Sequence, residues 1–340
     1  MKKPPGIVCF SIGEVSGIGV ELLLKTFSDK RFFEFCTPVV YATNRVFSYY
    51  KKNLEIEVPI NGISSPPEAI PGKINVVNIQ KDEIKIIPGS PTRETGAFAA
   101  RSLTRVIEDM KSFDIKTLVT LPIDKNNIQS EHFKYPGHTD FLQDVSGSES
   151  LMILMNDEIK IALLTGHIPL AEVSNAITID LIIRKIRILN TSLKQDFFIT
   201  KPKIALLSLN PHAGDNGLTG QEEKEIFLPA IEQLQNEDIL VFGPYPADGF
   251  FGKASYRNFD AIMAAYHDQG LAPFKALTFG SGVNFTAGLP IVRTSPDHGT
   301  AYDIAGKNKA STGSLKNAIF TALEIRKRRE EYLDLTEHSI

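Results

Sequence analysis

Ile204-Ala205-Leu206-Leu207-Ser208-Leu209-Asn210-Pro211-His212-Ala213-Gly214 is an aliphatic run that stops abruptly in a polar group, with one imidazole set between proline and glycine. The pattern recurs in Ile161-Ala162-Leu163-Leu164-Thr165-Gly166-His167-Ile168-Pro169 and in Ala261-Ile262-Met263-Ala264-Ala265-Tyr266-His267-Asp268-Gln269-Gly270. Short aliphatic runs of this kind read as strands buried on both faces. Longer amphipathic stretches separate them, which is the pattern of parallel strands joined by helices. In an open α/β sheet, ligands bind outside the carboxyl ends of the strands. Strand exits are therefore where chemistry is expected.

Working outward, strands are expected at Ile7–Phe10, Val39–Ala42, Ile74–Asn78, Leu118–Leu121, Leu151–Met155, Ile161–Thr165, Ile204–Leu209, Ile239–Phe242, Ala261–Tyr266 and Ile291–Arg293. Helical periodicity is clearest over Thr95–Lys111, where Phe98, Leu103, Val106 and Ile107 share one face. Ile179–Leu189, Glu222–Gln235 and Leu315–Arg326 read as helices too. The Pro- and Gly-rich Asn61–Gly72 reads as a surface loop, and the charged tail from Lys327 as fraying.

Composition narrows the function. A chain of 340 residues with 42% hydrophobic and 23% charged residues can bury a large core, as one α/β unit or two coupled domains. A net charge of −3 gives no reason to expect a nucleic-acid or anionic-membrane partner. Two cysteines, Cys9 and Cys36, make neither a disulfide framework nor a cysteine-rich zinc site, and fit a reducing cytoplasm. The apolar run after Lys2 and Lys3 breaks at Gly13 and Glu14, too early for a signal peptide, and no stretch has the length of a membrane span.

Each of His167, His212 and His267, taken singly, reads as a hydrogen-bonded strand-end residue. Three in one context, on strands of one sheet, read as a facial set for a divalent ion with positions left open for substrate. Asp248, in Gly243-Pro244-Tyr245-Pro246-Ala247-Asp248, is a possible oxygen ligand or else a turn or cap residue. Tyr266 and Gln269 are candidates to support the ligands from behind.

Gly13-Glu14-Val15-Ser16-Gly17-Ile18-Gly19 follows the first strand and opens a helix, a place that favours an anion. Its order is not the G-x-G-x-x-G of dinucleotide-binding folds, and it reads equally as a glycine-rich turn. Lys275, Asn284 and Arg293, with Tyr135-Pro136-Gly137-His138-Thr139-Asp140, supply the cations and donors that a small phosphorylated acid needs. In Arg293-Thr294-Ser295-Pro296-Asp297-His298-Gly299-Thr300-Ala301-Tyr302-Asp303-Ile304-Ala305-Gly306-Lys307, small and polar residues could wrap an adenosine. The amides of Gly299, Thr300 and Ala301 would approach a pyrophosphate, and Asp303 a ribose hydroxyl. On composition alone the segment is simply a loop.

The His298–Lys307 run resembles the adenosine-binding loop of the isocitrate/isopropylmalate dehydrogenase group. Gly137-His138-Thr139, Gly166-His167-Ile168-Pro169-Leu170, Leu209-Asn210-Pro211-His212-Ala213-Gly214, Tyr266-His267-Asp268-Gln269-Gly270-Leu271 and Ser295-Pro296-Asp297-His298-Gly299-Thr300-Ala301 resemble the 4-hydroxythreonine-4-phosphate dehydrogenase family, in order and over most of the chain. The glycine turn departs from the family's usual Gly-Asp-Pro-Ala-Gly-Ile-Gly-Pro-Glu at Glu14, Val15, Ser16 and Val20.

The resemblance implies an isocitrate/isopropylmalate dehydrogenase-like fold of two α/β/α domains with a cleft between them. Boundaries are expected near 130 and 285: residues 1–130 and 285–340 form a terminal domain with the adenosine loop, and 131–284 a central one with metal ligands and dimer surface. It implies His167, His212 and His267 as ligands of a divalent metal (zinc, magnesium or cobalt), with Asp248 nearby or coordinating. It implies His138, Thr139, Lys275, Asn284 and Arg293 as substrate contacts, and a cytoplasmic homodimer with active sites at the subunit interface. The cofactor would be NAD or NADP, and Asp303 favours NAD because a carboxylate there would repel a 2′-phosphate. The expected reaction is oxidation of 4-phosphooxy-L-threonine at C3 followed by decarboxylation, with Asp248, Lys275 or a metal-bound hydroxide as general base. A sister enzyme for 4-phospho-erythronate or threonate would keep the same residues. A metal-dependent phosphohydrolase would have no use for the adenosine loop.

Overall fold

A computed structural model describes residues 5–131, 133–278 and 280–337. Its strands in chain order are β1 (Ile7–Ser11), β2 (Thr37–Ala42), β3 (Ile60–Ile63), β4 (Ile74–Asn78), β5 (Thr117–Thr120), β6 (Leu151–Met155), β7 (Lys160–Leu163), β8 (Lys203–Leu207), β9 (Leu240–Tyr245), β10 (Ala261–Ala264), β11 (Val283–Ala287) and β12 (Val292–Pro296). The chain forms two compact units, Met1–Gly147 with Leu289–Leu323, and Ser148–Gly288 with Glu324–Ile340.

In the first unit the strands run in the order β3-β4-β2-β1-β5-β12, and every pairing is parallel. Alternate side chains of β1 serve opposite faces. Phe10 meets Phe27 of the helix Gly19–Ser28 edge-on at 6.1 Å between centroids. Its neighbour Cys9 packs instead with Val39, Tyr41 and Leu118 against Leu103, Val106 and Met110 of the helix Arg93–Ser112. Helices thus cover both faces, and the buried pattern of β1 and β2 follows from that. The stripe Phe98, Leu103, Val106 and Ile107 is buried as its spacing predicts; each such side chain contributes about 1.5–3 kcal/mol on burial.

In the second unit the order is β11-β6-β7-β10-β8-β9. β7, β10, β8 and β9 are mutually parallel, and β6 is antiparallel to both its neighbours. The expected all-parallel pattern fails at β6 for a simple reason. The connection to β7 is the tight turn Asn156–Ile159, closed by Asn156 N–H donating to the Ile159 carbonyl at 3.1 Å, whereas a parallel crossover needs about a dozen residues or more. Leu154, Ile161, Leu163, Ala205, Leu207, Ile262 and Ala264 pack on one face with Leu271 and Phe274 of the helix His267–Thr278.

Two local expectations are corrected. Asn61–Gly72 is not wholly loop: Ile60–Ile63 forms the edge strand β3, the position where a sheet tolerates glycine and neighbouring prolines. The tail does not fray at Lys327. The helix Gly313–Glu337 continues, because Arg329 Nε donates to the buried Asp196 at 2.8 Å and Arg326–Glu330 and Lys327–Glu331 pairs line its surface. Among the described residues no helix is long and apolar enough to cross a membrane.

Candidate active site

Four adjacent parallel strands of the second unit, β7, β10, β8 and β9, each end in a loop carrying one expected metal-site residue. His167 follows β7, His267 follows β10, His212 follows β8 and Asp248 follows β9. The exits are stitched together. Thr165 Oγ1 donates to the Ala265 carbonyl at 2.8 Å. Gln269 accepts from Ala265 N at 2.7 Å and donates to the Ser208 carbonyl at 2.6 Å. Ser208 N in turn donates to the Tyr245 carbonyl at 2.8 Å. Gln269 is therefore a cross-tie between the β10 and β8 exits, a more specific role than its sequence position suggests.

The rings of His167 and His267 lie 5.3 Å apart, tilted by 46°. His267 Nδ1 is 2.7 Å from Asp268 Oδ1. In the neutral tautomer with its proton on Nδ1, the ring donates to this carboxylate and leaves the Nε2 lone pair open. This carboxylate–imidazole arrangement is how metal-ligating histidines are usually oriented. Sequence reading named Tyr266 and Gln269 for that task and passed over Asp268, whose own side chain is exposed and looked like surface charge.

His212 sits differently. From His212 to Asn216 the backbone is left-handed throughout, with φ of 53°, 53°, 75°, 45° and 58°. Four of these residues are not glycine, a conformation that costs of order 1–3 kcal/mol each and persists only where surroundings impose it. Just before this segment, the buried Glu223 fixes Asn210, accepting from its N at 2.7 Å and its Nδ2 at 2.9 Å, while Glu222 accepts from the same side-chain amide at 2.8 Å. Among the described residues no three His, Cys, Asp or Glu side chains are grouped to hold a metal ion. Two facing imidazoles, one backed by a carboxylate, are donor types that a divalent cation takes, and His212, on the neighbouring exit, is not grouped with them.

Lys275 is exposed two turns along the helix from His267, about 12 Å on by helical rise. Asn284 lies on β11, beyond β6, and one amide atom, Oδ1, is buried without a hydrogen-bond partner. Asp248 is an exposed residue in the first turn of the helix Ala247–Gly252.

The first unit holds the other set. Arg293, on β12, is only 3% exposed, and its Nε and Nη2 both donate to Thr120 Oγ1 of β5, at 3.0 and 2.6 Å. Burial pushes the guanidinium down to about 10. His138 opens the helix His138–Ser146, whose N-cap Gly137 offers no side-chain cap. Its Nε2 is buried without a partner. Burial, then the charges of Arg293 and Lys125, holds this imidazole well below its ordinary value. An open helix N-terminus, an unsatisfied imidazole nitrogen and a buried guanidinium are the kinds of group that bind an anion. Thr139, beside His138, is half-buried at the same helix start. Lys125, just past the exit of β5, is not marked by a strand-end histidine and so carries no sequence signal of its place here.

The state of His138 has a consequence for stability. The folded chain resists protonating it, so the unfolded chain takes up that proton first as pH falls below the ordinary 6.5. Stability attributable to His138 is therefore intact above 6.5 and lost below it. His138→Gln is expected to flatten the acid side of the Tm–pH curve, by up to about 1.4 kcal/mol for each pH unit below that point.

The cofactor-loop residues are placed by the glycine turn. Ile18 N donates to the Thr300 carbonyl at 3.0 Å, and a Cβ on Gly17 would stand 2.8 Å from that oxygen. Gly13, at φ 66°, leaves no room for a side chain beneath the Pro122 carbonyl. The turn's amides are consumed internally: Glu14 N by Pro122, Ser16 N by Glu14 Oε1, Gly17 N by the Glu14 carbonyl. Of the two readings of this turn, the bonds fit a glycine-rich turn that seats the loop following β12. On that loop His298 Nε2 is buried without a partner while Nδ1 is 3.0 Å from the Gly299 carbonyl. Ala301 is left-handed at φ 47°, and Gly299 and Asp303 are exposed, with the Asp303 carbonyl accepting from Lys307 Nζ at 2.7 Å.

Strand-end imidazoles in one unit and a loop seated on a glycine turn in the other fit an α/β oxidoreductase, and comparison with known proteins gives that class. The chain is similar to a solved 4-hydroxythreonine-4-phosphate dehydrogenase from Klebsiella pneumoniae, with TM-score 0.82 and 30% identity over 96% of this chain and 99% of that one. It is 48% identical over 320 residues to 4-hydroxythreonine-4-phosphate dehydrogenase of Bacteroides thetaiotaomicron, covering 94% of this chain and 88% of the relative. It is 40% identical to the protein of that name from a Sulfurihydrogenibium species, covering 95% and 99%. Residues 34–322 match the family described as pyridoxal phosphate biosynthetic protein PdxA, and the chain belongs to that family.

Proposed function

We propose that this chain oxidises 4-phosphooxy-L-threonine with NAD or NADP to 2-amino-3-oxo-4-phosphooxybutanoate, which decarboxylates to 3-amino-2-oxopropyl phosphate on the route to pyridoxal 5′-phosphate. The observation that carries this reading is the set of four stitched strand exits bearing His167, His267, His212 and Asp248, in a chain whose relatives carry that enzyme's name. We assign His167, His212 and His267 to a divalent metal, zinc, magnesium or cobalt, which when bound would make the C3 hydroxyl acidic enough to lose its proton.

The residues of the chain do the remaining work. His138, Thr139 and Arg293 bind the phosphate, and Lys275 and Asn284 serve as further substrate contacts. Anchoring the phosphate supplies binding energy at a point remote from C3, which orients the carbinol for hydride transfer. Asp248 or Lys275 accepts the hydroxyl proton; both are exposed and free to reach a substrate atom. His298, Gly299, Thr300 and Ala301 hold the cofactor, with Asp303 toward its adenosine ribose. Loss of CO₂ needs no further catalyst, because the carbanion is delocalised into the new ketone. We place the enzyme in the cytoplasm as a homodimer with active sites at the subunit interface.

The test is reduced-cofactor absorbance with 4-phosphooxy-L-threonine, NAD and added divalent metal, beside 4-phospho-erythronate and 4-phospho-threonate. Metal-dependent reduction fastest with the amino acid supports the reading, and preference for a sugar acid moves it to the sister activity. Asp268→Ala is expected to weaken metal binding roughly 10- to 100-fold by freeing the His267 ring. A metal titration that superimposes on wild type contradicts the role given to Asp268.

A further inference from the structure

The cofactor loop, the turn after β5 and the glycine turn of the first unit are joined by a closed circuit of hydrogen bonds. Tyr302, in the middle of the loop, donates its hydroxyl to Asp124 Oδ2 at 2.8 Å. Asp124 Oδ1 accepts the amides of Asn126 and Asn127, at 2.9 and 3.0 Å, and so fixes the turn after β5. Asn127 Nδ2 donates to Glu14 Oε2 at 2.8 Å, and Glu14 Oε1 accepts from Ser16 N at 2.9 Å. Ile18 N then returns to the Thr300 carbonyl at 3.0 Å, two residues before Tyr302. The Tyr302 carbonyl is also pressed against Gly89, where a Cβ would stand 2.8 Å from it.

The same turn reaches the phosphate pocket through its next residue. Lys125 Cε lies 3.9 Å from where a Cβ on Gly137 would be, and its charge is felt at His138. An anion seated between His138 and Arg293 therefore attracts Lys125, and with it the turn that Asp124 orders.

We propose that Tyr302 is a positioning residue whose bond to Asp124 couples the two ligand sites, so that a phosphate monoester in the pocket tightens the cofactor and the cofactor tightens the monoester. The proposal rests on the phosphate and cofactor assignments made above. Burial and Asp124 both raise the Tyr302 hydroxyl from its ordinary value, which keeps it a donor at working pH. Coupling of this kind is reciprocal, and typical cases amount to about fivefold or more in affinity.

The experiment measures NAD affinity of the metal-loaded protein by calorimetry with and without methyl phosphate, a monoester that has no secondary alcohol to oxidise. Wild type is expected to bind NAD about fivefold tighter or better with methyl phosphate present. Tyr302→Phe, which removes one oxygen, is expected to bring the gain to nearly nothing while methyl phosphate alone binds as in wild type. Asp124→Ala breaks the same bond from its other end and is expected to lose the gain, with methyl phosphate alone binding as in wild type. A wild-type gain that survives both substitutions overturns the proposal, as does wild type binding both ligands independently. Failure of wild type to bind either ligand overturns the functional reading along with it.

Discussion

Replacing His267 by alanine is expected to lower kcat by roughly three orders of magnitude, since a catalytic metal supplies several kcal/mol of charge stabilisation and each 1.4 kcal/mol or so is tenfold. The substitution also dissolves the pair that the proposed metal site is built on. His267 is the imidazole that Asp268 orients at 2.7 Å and that His167 faces at 5.3 Å, so the pair is lost with it. Fold stability should change little, because the ring begins its helix and the packing of that helix belongs to Leu271 and Phe274. Steady-state cofactor reduction together with the metal content of the purified variant checks this. Activity within tenfold of wild type on a metal-free variant would remove the histidine pair from the chemistry.

Arg293→Met is expected to cost the second most, and through a different parameter. The guanidinium is 3% exposed and held by Thr120 from two nitrogens. Truncating a buried charge that meets an anionic ligand costs about 2–5 kcal/mol, a loss of roughly 30- to several-thousand-fold in kcat/KM. The loss should appear for phosphorylated substrate while NAD affinity in the absence of phosphate stays near wild type. Arg293→Lys should rescue little, since an ammonium cannot reproduce a planar fork. Kinetics with substrate varied at saturating NAD, beside direct NAD binding, separates the two. An equal loss of NAD affinity in the phosphate-free variant would mean that Arg293 supports the fold of the unit, not the substrate.

What the sequence made legible and what it hid follow from the kind of constraint each residue obeys. The strands were readable because β1, β8 and β10 are buried on both faces, and only unbroken aliphatic runs satisfy that. The histidine exits were readable because a polar residue at the end of such a run has no packing reason to be there. β3 was hidden because an edge strand needs little apolar sequence, and β11 because Val283-Asn284-Phe285-Thr286-Ala287 carries polar residues at alternate places. The antiparallel setting of β6 depends on a connection length that runs of residue type do not reveal.

Within the site, the missed residues are those that act through another group. Asp268 matters because of His267 and Asp124 because of Tyr302, while Gln269, named from its position, has Ser208 and Ala265 as partners that the position does not reveal. Partners at sequence separations of 61 for Gln269 and 178 for Tyr302 leave no local trace. The glycine turn stayed open between two readings for the related reason that amides satisfying the protein's own carbonyls and a glutamate look, in composition, like an empty cradle.

The most direct test of the metal-centred account turns on His212, the histidine on the strained segment of the β8 exit. Metal-stripped wild type and His212→Ala would each be titrated with zinc, magnesium and cobalt, following bound metal and cofactor reduction with 4-phosphooxy-L-threonine together. The account predicts one tight divalent ion per chain in wild type, activity rising in proportion to its binding, and loss of both in the variant. Full activity in the stripped enzyme, or tight metal and full activity in His212→Ala, would contradict it.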